Sequence, residues 1–394
     1  MKVLERYQNG NMTTTLYEDG TRIRESEDDE FYPEFAENID VHISDRCDHG
    51  CPMCYANCTK DGEYGDLTLS SYRNTFLQTL HPGTELAINL NFPLHPGLDT
   101  FLIYLRSHRI YVNATVNQDH FMANIDLIKG LIDKKLIWGL GISLTEPTQD
   151  FIDAVKEFPN AVIHVINGLF SKDDCEMLAD HGLKILILGY KSVGRGETYL
   201  SSISENMDRH DFISRNAEWL FNKLLCVLNK FSVVSFDNLA LRQLDVKNKL
   251  DSKLWEDIYQ GDDGSFSFFI NMVEGYFAKN SISSKKYPIA GKSIDEMFEI
   301  IRKENNMNIY EKTKKDKRAI EEGVHEDSKP LDPHDEFITQ CKCNPSLTLP
   351  VGATPMTVAD LIIRECEDFS FLKEVMHYVQ CYLDYNEPKT TSIE

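Results

Sequence analysis

Apolar runs of strand length alternate with amphipathic stretches of helix length through the middle of the chain. The strand-like runs cover residues 39–44, 85–90, 110–116, 136–144, 161–166 and 183–189. The stretches with helical spacing lie between these runs, at residues 98–108, 121–134, 149–158 and 172–181. Strands that alternate with helix-length segments are typical of βαβ units, so the pattern predicts an α/β fold with a parallel sheet. Two further apolar runs, at residues 231–236 and 266–272, can add a seventh and an eighth strand.

The two ends of the chain follow other patterns. Residues 12–24 form two strand-like runs around Asp19-Gly20, which predicts a β-hairpin. Residues 302–330 carry dense mixed charge, and apolar residues further on repeat at helical spacing. We therefore expect a hairpin leader at residues 1–36, a main domain at 37–290, and a charged connection with a helical extension at 291–394. The sequence does not decide whether the leader covers the main domain or binds a partner.

Three closely spaced cysteines follow the first strand of the main domain. Cys47, Cys51 and Cys54 have the spacing Cys-x3-Cys-x2-Cys. Closely spaced thiolates in a loop are the usual ligands of iron–sulfur clusters. The loop follows the carboxyl end of a strand, where α/β folds and barrels place their active sites. Three ligands for a four-iron cluster leave one iron without a protein ligand, and an open metal position is typical of catalytic sites.

Two other interpretations of these cysteines remain open. The Cys51–Cys54 pair after a strand can be a thioredoxin-like redox pair, although Cys47 then has no role. Cys47, Cys51, Cys54 and Cys58 can form a zinc site, although structural zinc sites usually use two separated pairs. We favour the iron–sulfur cluster over both.

At these residues the chain resembles the radical S-adenosylmethionine (SAM) superfamily, whose signature is Cys-x3-Cys-x2-Cys after the first barrel strand. The resemblance implies a partial (β/α)6 TIM-like barrel, which the two further runs can extend by one or two strands. It implies that Cys47, Cys51 and Cys54 bind a [4Fe-4S] cluster whose open iron binds SAM. Reductive cleavage of SAM then gives a 5′-deoxyadenosyl radical that abstracts hydrogen from a substrate. Reduced flavodoxin or ferredoxin is the implied electron donor.

The resemblance also places several residues against SAM. Asn91 lies where relatives often carry Gly-Gly-Glu-Pro, although both glycines and the acid are absent here. Asn117 and Ser143 end the third and fourth strands, where relatives contact the cofactor. Asn167 follows the fifth strand, and Met53 stands where an aromatic residue usually faces adenine. Taken alone, each of these residues can equally be a packed strand end.

The loop after the sixth strand carries Lys191 and Arg195 among three glycines. Such a loop can bind an anion, for example a carboxylate of SAM or of the substrate, and an exposed turn is the alternative. Asp237 follows the seventh run and is a candidate substrate contact or a helix cap. Cys341 and Cys343 can hold a metal, but the match to a cysteine-rich auxiliary domain is poor, so we do not expect an auxiliary cluster.

Composition narrows the class of substrate and the compartment. The chain has 394 residues, 42% of them hydrophobic, and a net charge of −22. An acidic protein lacks the basic surface that binds nucleic acid, so we do not expect DNA or RNA as substrate. Neither a signal peptide nor a membrane span is recognisable, and ten cysteines argue for metal or free thiols in a reducing, cytoplasmic compartment.

The sequence therefore predicts a cytoplasmic radical SAM enzyme, and it specifies the substrate poorly. Our leading hypothesis is a peptide or protein side chain, because the leader and the extension can frame an extended ligand. The second hypothesis is a nucleotide or other small anionic metabolite, held by Lys191 and Arg195. The third is a non-catalytic iron–sulfur or zinc protein.

Overall fold

The computed structural model of the chain describes residues 2–28, 30–201 and 207–305. The amino-terminal part is a three-stranded antiparallel sheet, with strands β1 (Val3–Asn9), β2 (Met12–Tyr17) and β3 (Arg22–Glu25). β2 and β3 are the predicted hairpin, and Gly20 has a positive φ of 88° in its turn, where glycine is favoured. β1 was not predicted. Most of the predicted helical extension, with Cys341 and Cys343, lies outside the described residues.

The main domain is built on one ten-stranded sheet. Its parallel strands are β4 (Asn38–His42), β5 (Glu85–Asn89), β6 (Tyr111–Asn117), β7 (Gly139–Ser143), β8 (Ala161–Ile166), β9 (Lys184–Leu188), β10 (Val233–Phe236) and β11 (Ser267–Asn271). Two antiparallel strands complete the sheet, β12 (Tyr276–Ala278) and β13 (Tyr287–Pro288). The order is β10-β9-β8-β7-β6-β5-β4-β11-β12-β13. The predicted α/β class with a largely parallel sheet is confirmed, and both additional runs form strands.

Helices connect most of the parallel strands. They are α1 (Leu98–Ser107), α2 (Gln118–Ala123), α3 (Ile125–Asp133), α4 (Gln149–Lys156), α5 (Lys172–Leu178), α6 (Arg195–Ser201), α7 (Met207–Leu228), α8 (Asn238–Gln243), α9 (Ser252–Ile258) and α10 (residues 294–305). Short 3-10 helices lie at Tyr72–Thr79 and Val246–Asn248. The single helix predicted at residues 121–134 is instead the pair α2 and α3. Asn124 separates them, because its side chain donates to the His120 carbonyl (2.8 Å) at a non-helical φ of −134°.

The parallel strands bury one face against the helices. Strands β4 to β10 lie side by side in chain order, so right-handed crossovers place every connecting helix on the same face. Ile39 and Val41 of β4 and Ile88 of β5 belong to one buried cluster with helix residues such as Phe101 and Phe151. The parallel part of the sheet has eight strands, the six that the resemblance implies and the two further runs.

The opposite face of the parallel strands is polar. Because side chains alternate along a strand, the residues between the buried apolar positions point away from the helices. They include Asp40 and His42 of β4, Glu85 and Asn89 of β5, Asn113 and Thr115 of β6, Ser143 of β7 and His164 of β8. A face with convergent polar groups is suited to ligand binding.

The leader closes the amino-terminal end of the main sheet. Arg24 Nε lies 2.6 Å from Glu37 Oε2, and Arg22 Nη1 lies 3.5 Å from the same oxygen. Arg22 also pairs with Glu85, the first residue of β5. The side chain of Glu37 is 0% exposed, and it accepts a further hydrogen bond from Thr14 (2.6 Å). The leader therefore lies at the end of the strands opposite to the cysteines.

Among the helices of the described residues, none has the length and apolar character that crossing a membrane requires.

The substitution Glu37→Ala should destabilise the protein strongly, because it leaves two buried guanidinium groups short of a counter-ion. We expect the free energy of unfolding to fall by about 3–5 kcal/mol. The matched control is Glu25→Ala, since Glu25 pairs with Arg6 at a surface where both side chains are more than half exposed; its loss should cost less than about 1 kcal/mol. Urea titrations measure both changes. Equal losses for the two variants would contradict the conclusion that the buried ion pairs hold the leader in place.

Candidate active site

Cys47, Cys51 and Cys54 lie in a long loop after β4, at residues 43–66, which we call the cysteine loop. The loop folds back on itself, so that the Cys47 amide donates to the Thr59 carbonyl (2.8 Å). β4 is an inner strand of the sheet, between β5 and β11. The three cysteines therefore lie at the carboxyl end of the parallel strands, the edge at which such sheets bind ligands.

Two asparagines fix the start of the cysteine loop. Asn89 ends β5, and its Oδ1 accepts from the Ile43 amide (2.7 Å) while its Nδ2 donates to the Ser44 carbonyl (2.8 Å). An amide side chain carries the same donor and acceptor as the backbone, so Asn89 continues the ladder past the end of the strand. The predicted cofactor residue Asn91 donates to the same Ser44 carbonyl (2.9 Å). Its Oδ1 receives no hydrogen bond from the described residues.

The three thiols are close enough to affect one another's ionisation. All three are half-buried, and none forms a disulfide. Burial raises the pKa of Cys47 and raises that of Cys51 to about 11, and the nearby Cys54 raises both further. A hydrogen bond from Cys58 instead lowers the pKa of Cys54. Because thiols bound to a metal lose their protons, this convergent all-sulfur set fits an iron–sulfur cluster.

Residues 51–54 have the wrong backbone for a thioredoxin-like pair. They form a turn closed by a hydrogen bond from the Cys54 amide to the Cys51 carbonyl (3.3 Å), and no helix begins there. A helix amino terminus is one of the features that stabilise a reactive thiolate. Its absence from this turn disfavours the redox pair.

Two histidine–aspartate pairs connect the cysteine loop to α2. Two Asp-His dipeptides, Asp48-His49 and Asp119-His120, face each other, and each histidine contacts the aspartate of the other segment. His49 Nε2 lies 2.8 Å from Asp119 Oδ2, and His120 Nε2 lies 2.6 Å from Asp48 Oδ1. His49 Nδ1 also lies 3.0 Å from Cys51 Sγ. These crossed pairs position one of the three thiols directly.

The glycine-rich loop after β9 packs against the cysteine loop. Arg195 donates from its amide to the Cys54 carbonyl (3.1 Å) and from Nε to the Cys51 carbonyl (3.0 Å). Gly194 has a φ of 57°, and a Cβ there would collide with the Tyr55 carbonyl, so the close approach requires glycine. A Cβ on Gly196 would lie 3.4 Å from the carbonyl of half-buried Met53. Arg195 therefore supports the cysteine loop in this structure.

The remaining predicted cofactor residues lie at the same end of the sheet. Asn117 caps α2, since its Oδ1 accepts from the Asp119 amide (2.8 Å). Ser143 pairs with Asn117 in register, and its hydroxyl bonds to none of the described residues. Asn167 donates to Gln243 Oε1 (3.1 Å), and its buried Oδ1 has no partner among the described residues. The Ser143 hydroxyl and the Asn167 Oδ1 are therefore available to a ligand.

Lys191 and Asp237 also have partners in the structure. Lys191 Nζ donates to Ser281 Oγ (3.0 Å) and lies 4.1 Å from the centroid of the Tyr55 ring, in the cysteine loop. Asp237 Oδ1 accepts from the amides of Gly189 (2.9 Å) and Ala240 (2.7 Å), so Asp237 caps α8. Of the two interpretations of Asp237, the helix cap agrees with these contacts.

Several residues of this end of the sheet were not identified from the sequence. Asn89 and the crossed Asp-His pairs escaped notice, although the repeated dipeptide was visible. His164 was missed as well; burial lowers its pKa to about 4, and Lys191 contributes in the same direction. Asp40 was also missed, although the alternation with Ile39 and Val41 places it on the polar face.

Comparison with known proteins finds a likeness in backbone alone. No protein-family model and no curated protein matches the chain. Three matching crystal structures are of Streptococcus suis SuiB: bound to precursor peptide SuiA, bound to S-adenosylmethionine, and SuiB itself. Their identities to this chain are 14%, 13% and 13%, with TM-scores of 0.45, 0.44 and 0.43. The matches cover 68%, 67% and 68% of this chain and 65%, 65% and 66% of SuiB. The chain thus spans less than two thirds of the length of SuiB.

The substitution Cys58→Ala should raise the pKa of Cys54 in the iron-free protein, because it removes the hydrogen bond that stabilises the Cys54 thiolate. In the unmodified chain, the midpoint of the pH profile for alkylation of Cys54 should lie below the ordinary thiol pKa. In the variant, this midpoint should move toward the ordinary thiol value of about 8.5. Iodoacetamide labelling of each cysteine, read by mass spectrometry across pH, measures the shift. The exposed Cys226→Ala is the control, and an unchanged Cys54 profile in Cys58→Ala would disprove the interaction.

Proposed function

We propose that the chain is a radical SAM enzyme in which Cys47, Cys51 and Cys54 hold a [4Fe-4S] cluster. The observation that carries this proposal is the placement of three convergent, half-buried thiols at the carboxyl end of β4, beside the polar face of the sheet. Three thiols leave one iron of such a cluster open for SAM. When bound, the reduced cluster supplies one electron that breaks a carbon–sulfur bond of SAM, giving methionine and a 5′-deoxyadenosyl radical that takes hydrogen from the substrate.

In that reaction, the residues of this chain fix the cysteine loop and bind and orient SAM. Asn89 and the crossed Asp-His pairs fix the cysteine loop, and Arg195 joins it to the loop after β9. The free Oδ1 of Asn91 can accept from the amino group of SAM. The Ser143 hydroxyl can donate to its ribose or carboxylate. Asn167, at the end of β8, can contact the adenine with its backbone, and Met53 can pack against the ring.

The electron has to come from outside the chain, so we propose reduced flavodoxin or ferredoxin as donor. A cluster of low potential also requires a reducing compartment, which favours the cytoplasm.

We propose a peptide or protein side chain as substrate. The leader lies at the amino ends of the strands, where its Arg22 and Arg24 line the cavity that supports this proposal. Support comes from a cavity of about 820 Å³ that is lined by residues of the polar face and by side chains from α7 to α9, and that can admit one side chain of a larger molecule. A small anionic metabolite is less well served, because Arg195 is bonded to the cysteine loop and Lys191 to Ser281.

The direct test is anaerobic production of 5′-deoxyadenosine. The protein is reconstituted with iron and sulfide, reduced with dithionite and given SAM, and the product is measured by chromatography. We expect product from the unmodified chain and a loss of at least about a hundredfold in Cys54→Ala, which lacks a cluster ligand. Cys226→Ala, an exposed cysteine outside the loop, should behave as the unmodified chain. Product at equal rates from Cys54→Ala would overturn the proposed cluster site.

One observation favours a second candidate, a zinc protein. The donor atoms of His42, Asp45 and Cys58 all lie within 4.8 Å of one another, and this donor set is one that zinc accepts. Metal analysis of the purified chain separates the two candidates. Iron and sulfide bound through Cys47, Cys51 and Cys54 support the enzyme, whereas stoichiometric zinc that is lost in His42→Ala supports the alternative.

A further inference from the structure

The cavity of about 820 Å³ runs along the polar face of the sheet and has mostly apolar walls. It reaches from Asn38 and Glu85, at the amino ends of β4 and β5, to Asp237, beyond the carboxyl end of β10. Apolar side chains from β9 and from α7 to α9 form one wall, among them Leu186, Leu225, Leu241 and Trp255. A ligand with an apolar body therefore fits these walls.

Asp40 is the one carboxylate of this cavity that no described residue satisfies. It lies on β4, enclosed between β5 and β11, and its accessible surface faces the cavity. It accepts no hydrogen bond from the described residues and has no ion pair within 4.0 Å. Asp40 keeps the accessible surface of an exposed residue, while desolvation by the surrounding protein raises its pKa to about 6. A carboxylate that faces a cavity with mostly apolar walls can pair with a cation that enters the cavity.

The other charged groups that line the cavity already have partners. Arg22 and Arg24 are paired with Glu37, and Arg22 also with Glu85. Asp262 accepts from the Tyr259 hydroxyl (2.7 Å).

Asp263 also has partners, since it accepts from Asn238 (2.8 Å) and Asn280 (2.7 Å). Lys191 faces Asp40 from further away, bonded to Ser281. Five carboxylates line the cavity against the two guanidinium groups, so even with Lys191 nearby the local charge is negative and attracts a cation.

We infer that the cavity binds a primary ammonium or guanidinium group carried on an apolar stem, with Asp40 as the counter-ion. The inference rests on the proposed function where it names the substrate, which is then a peptide with a basic side chain. Asp40 and His42 lie on the same face of β4, about 6–7 Å apart along the strand. Of these two residues, Asp40 alone lines the cavity.

The test is a pair of matched ligands on the full chain with its reconstituted cluster and without SAM. The probes are Nα-acetyl-lysine N-methylamide and Nα-acetyl-norleucine N-methylamide, which share the apolar stem and differ in the ammonium group. Binding is measured by isothermal titration calorimetry to the unmodified chain, to Asp40→Asn and to Asp257→Asn. Asp257 is an exposed acid on α9 that does not line the cavity, so its variant controls for net charge.

We expect the lysine probe to bind the unmodified chain and Asp257→Asn alike, and Asp40→Asn at least about tenfold more weakly. The norleucine probe should bind all three proteins equally and more weakly than the lysine probe binds the unmodified chain. Equal binding of both probes to the unmodified chain would overturn the inference without reference to any variant. So would an affinity for the lysine probe that Asp40→Asn leaves unchanged.

The outcomes separate this inference from the proposed function. A chain that forms 5′-deoxyadenosine but does not prefer the lysine probe refutes the cation site alone. A chain that prefers the lysine probe but binds no iron refutes the radical chemistry alone.

Discussion

The candidate site depends on the two hydrogen bonds by which Asn89 holds the backbone at the end of β4. The side-chain amide of Asn89 takes the place of a strand neighbour for Ile43 and Ser44, so the chain leaves the sheet in a fixed direction. Asn91 adds a second donor to the same carbonyl. Without this anchor the start of the cysteine loop would lose its connection to β5, because these residues lie beyond the last ladder bond between β4 and β5.

The remaining contacts of the loop act on this fixed start. The crossed Asp-His pairs tie it to α2 on one side, and Arg195 ties it to the loop after β9 on the other. The cysteine loop is thereby held at three places, by the end of β5, by α2 and by the loop after β9. The leader stabilises the opposite end, where Arg22 and Arg24 neutralise a buried glutamate. Barrel-like folds divide their two ends in this way, with stability at the amino ends of the strands and chemistry at the carboxyl ends.

Much of the fold could be predicted from the sequence, because strand and helix periods are local properties. The eight parallel strands and the hairpin around Asp19-Gly20 were visible in this way. The break at Asn124 was not, since it depends on one side-chain bond to a carbonyl a turn earlier. Within the site, the cysteine spacing is local and was visible too. The aspartate that pairs with His49 lies seventy residues away in sequence. The register of the sheet decides which residues meet at that separation. For the same reason the loop of Arg195 looked like an anion site until its bonds to the cysteine loop were known.

The most direct measurement of the central claim is low-temperature electron paramagnetic resonance of the iron-loaded, dithionite-reduced protein, before and after SAM is added. The account predicts the signal of a reduced [4Fe-4S] cluster whose shape changes on addition of SAM, because the iron without a cysteine ligand becomes coordinated. A cluster signal that SAM leaves unchanged would contradict the account, and so would a protein that takes up zinc and shows no signal.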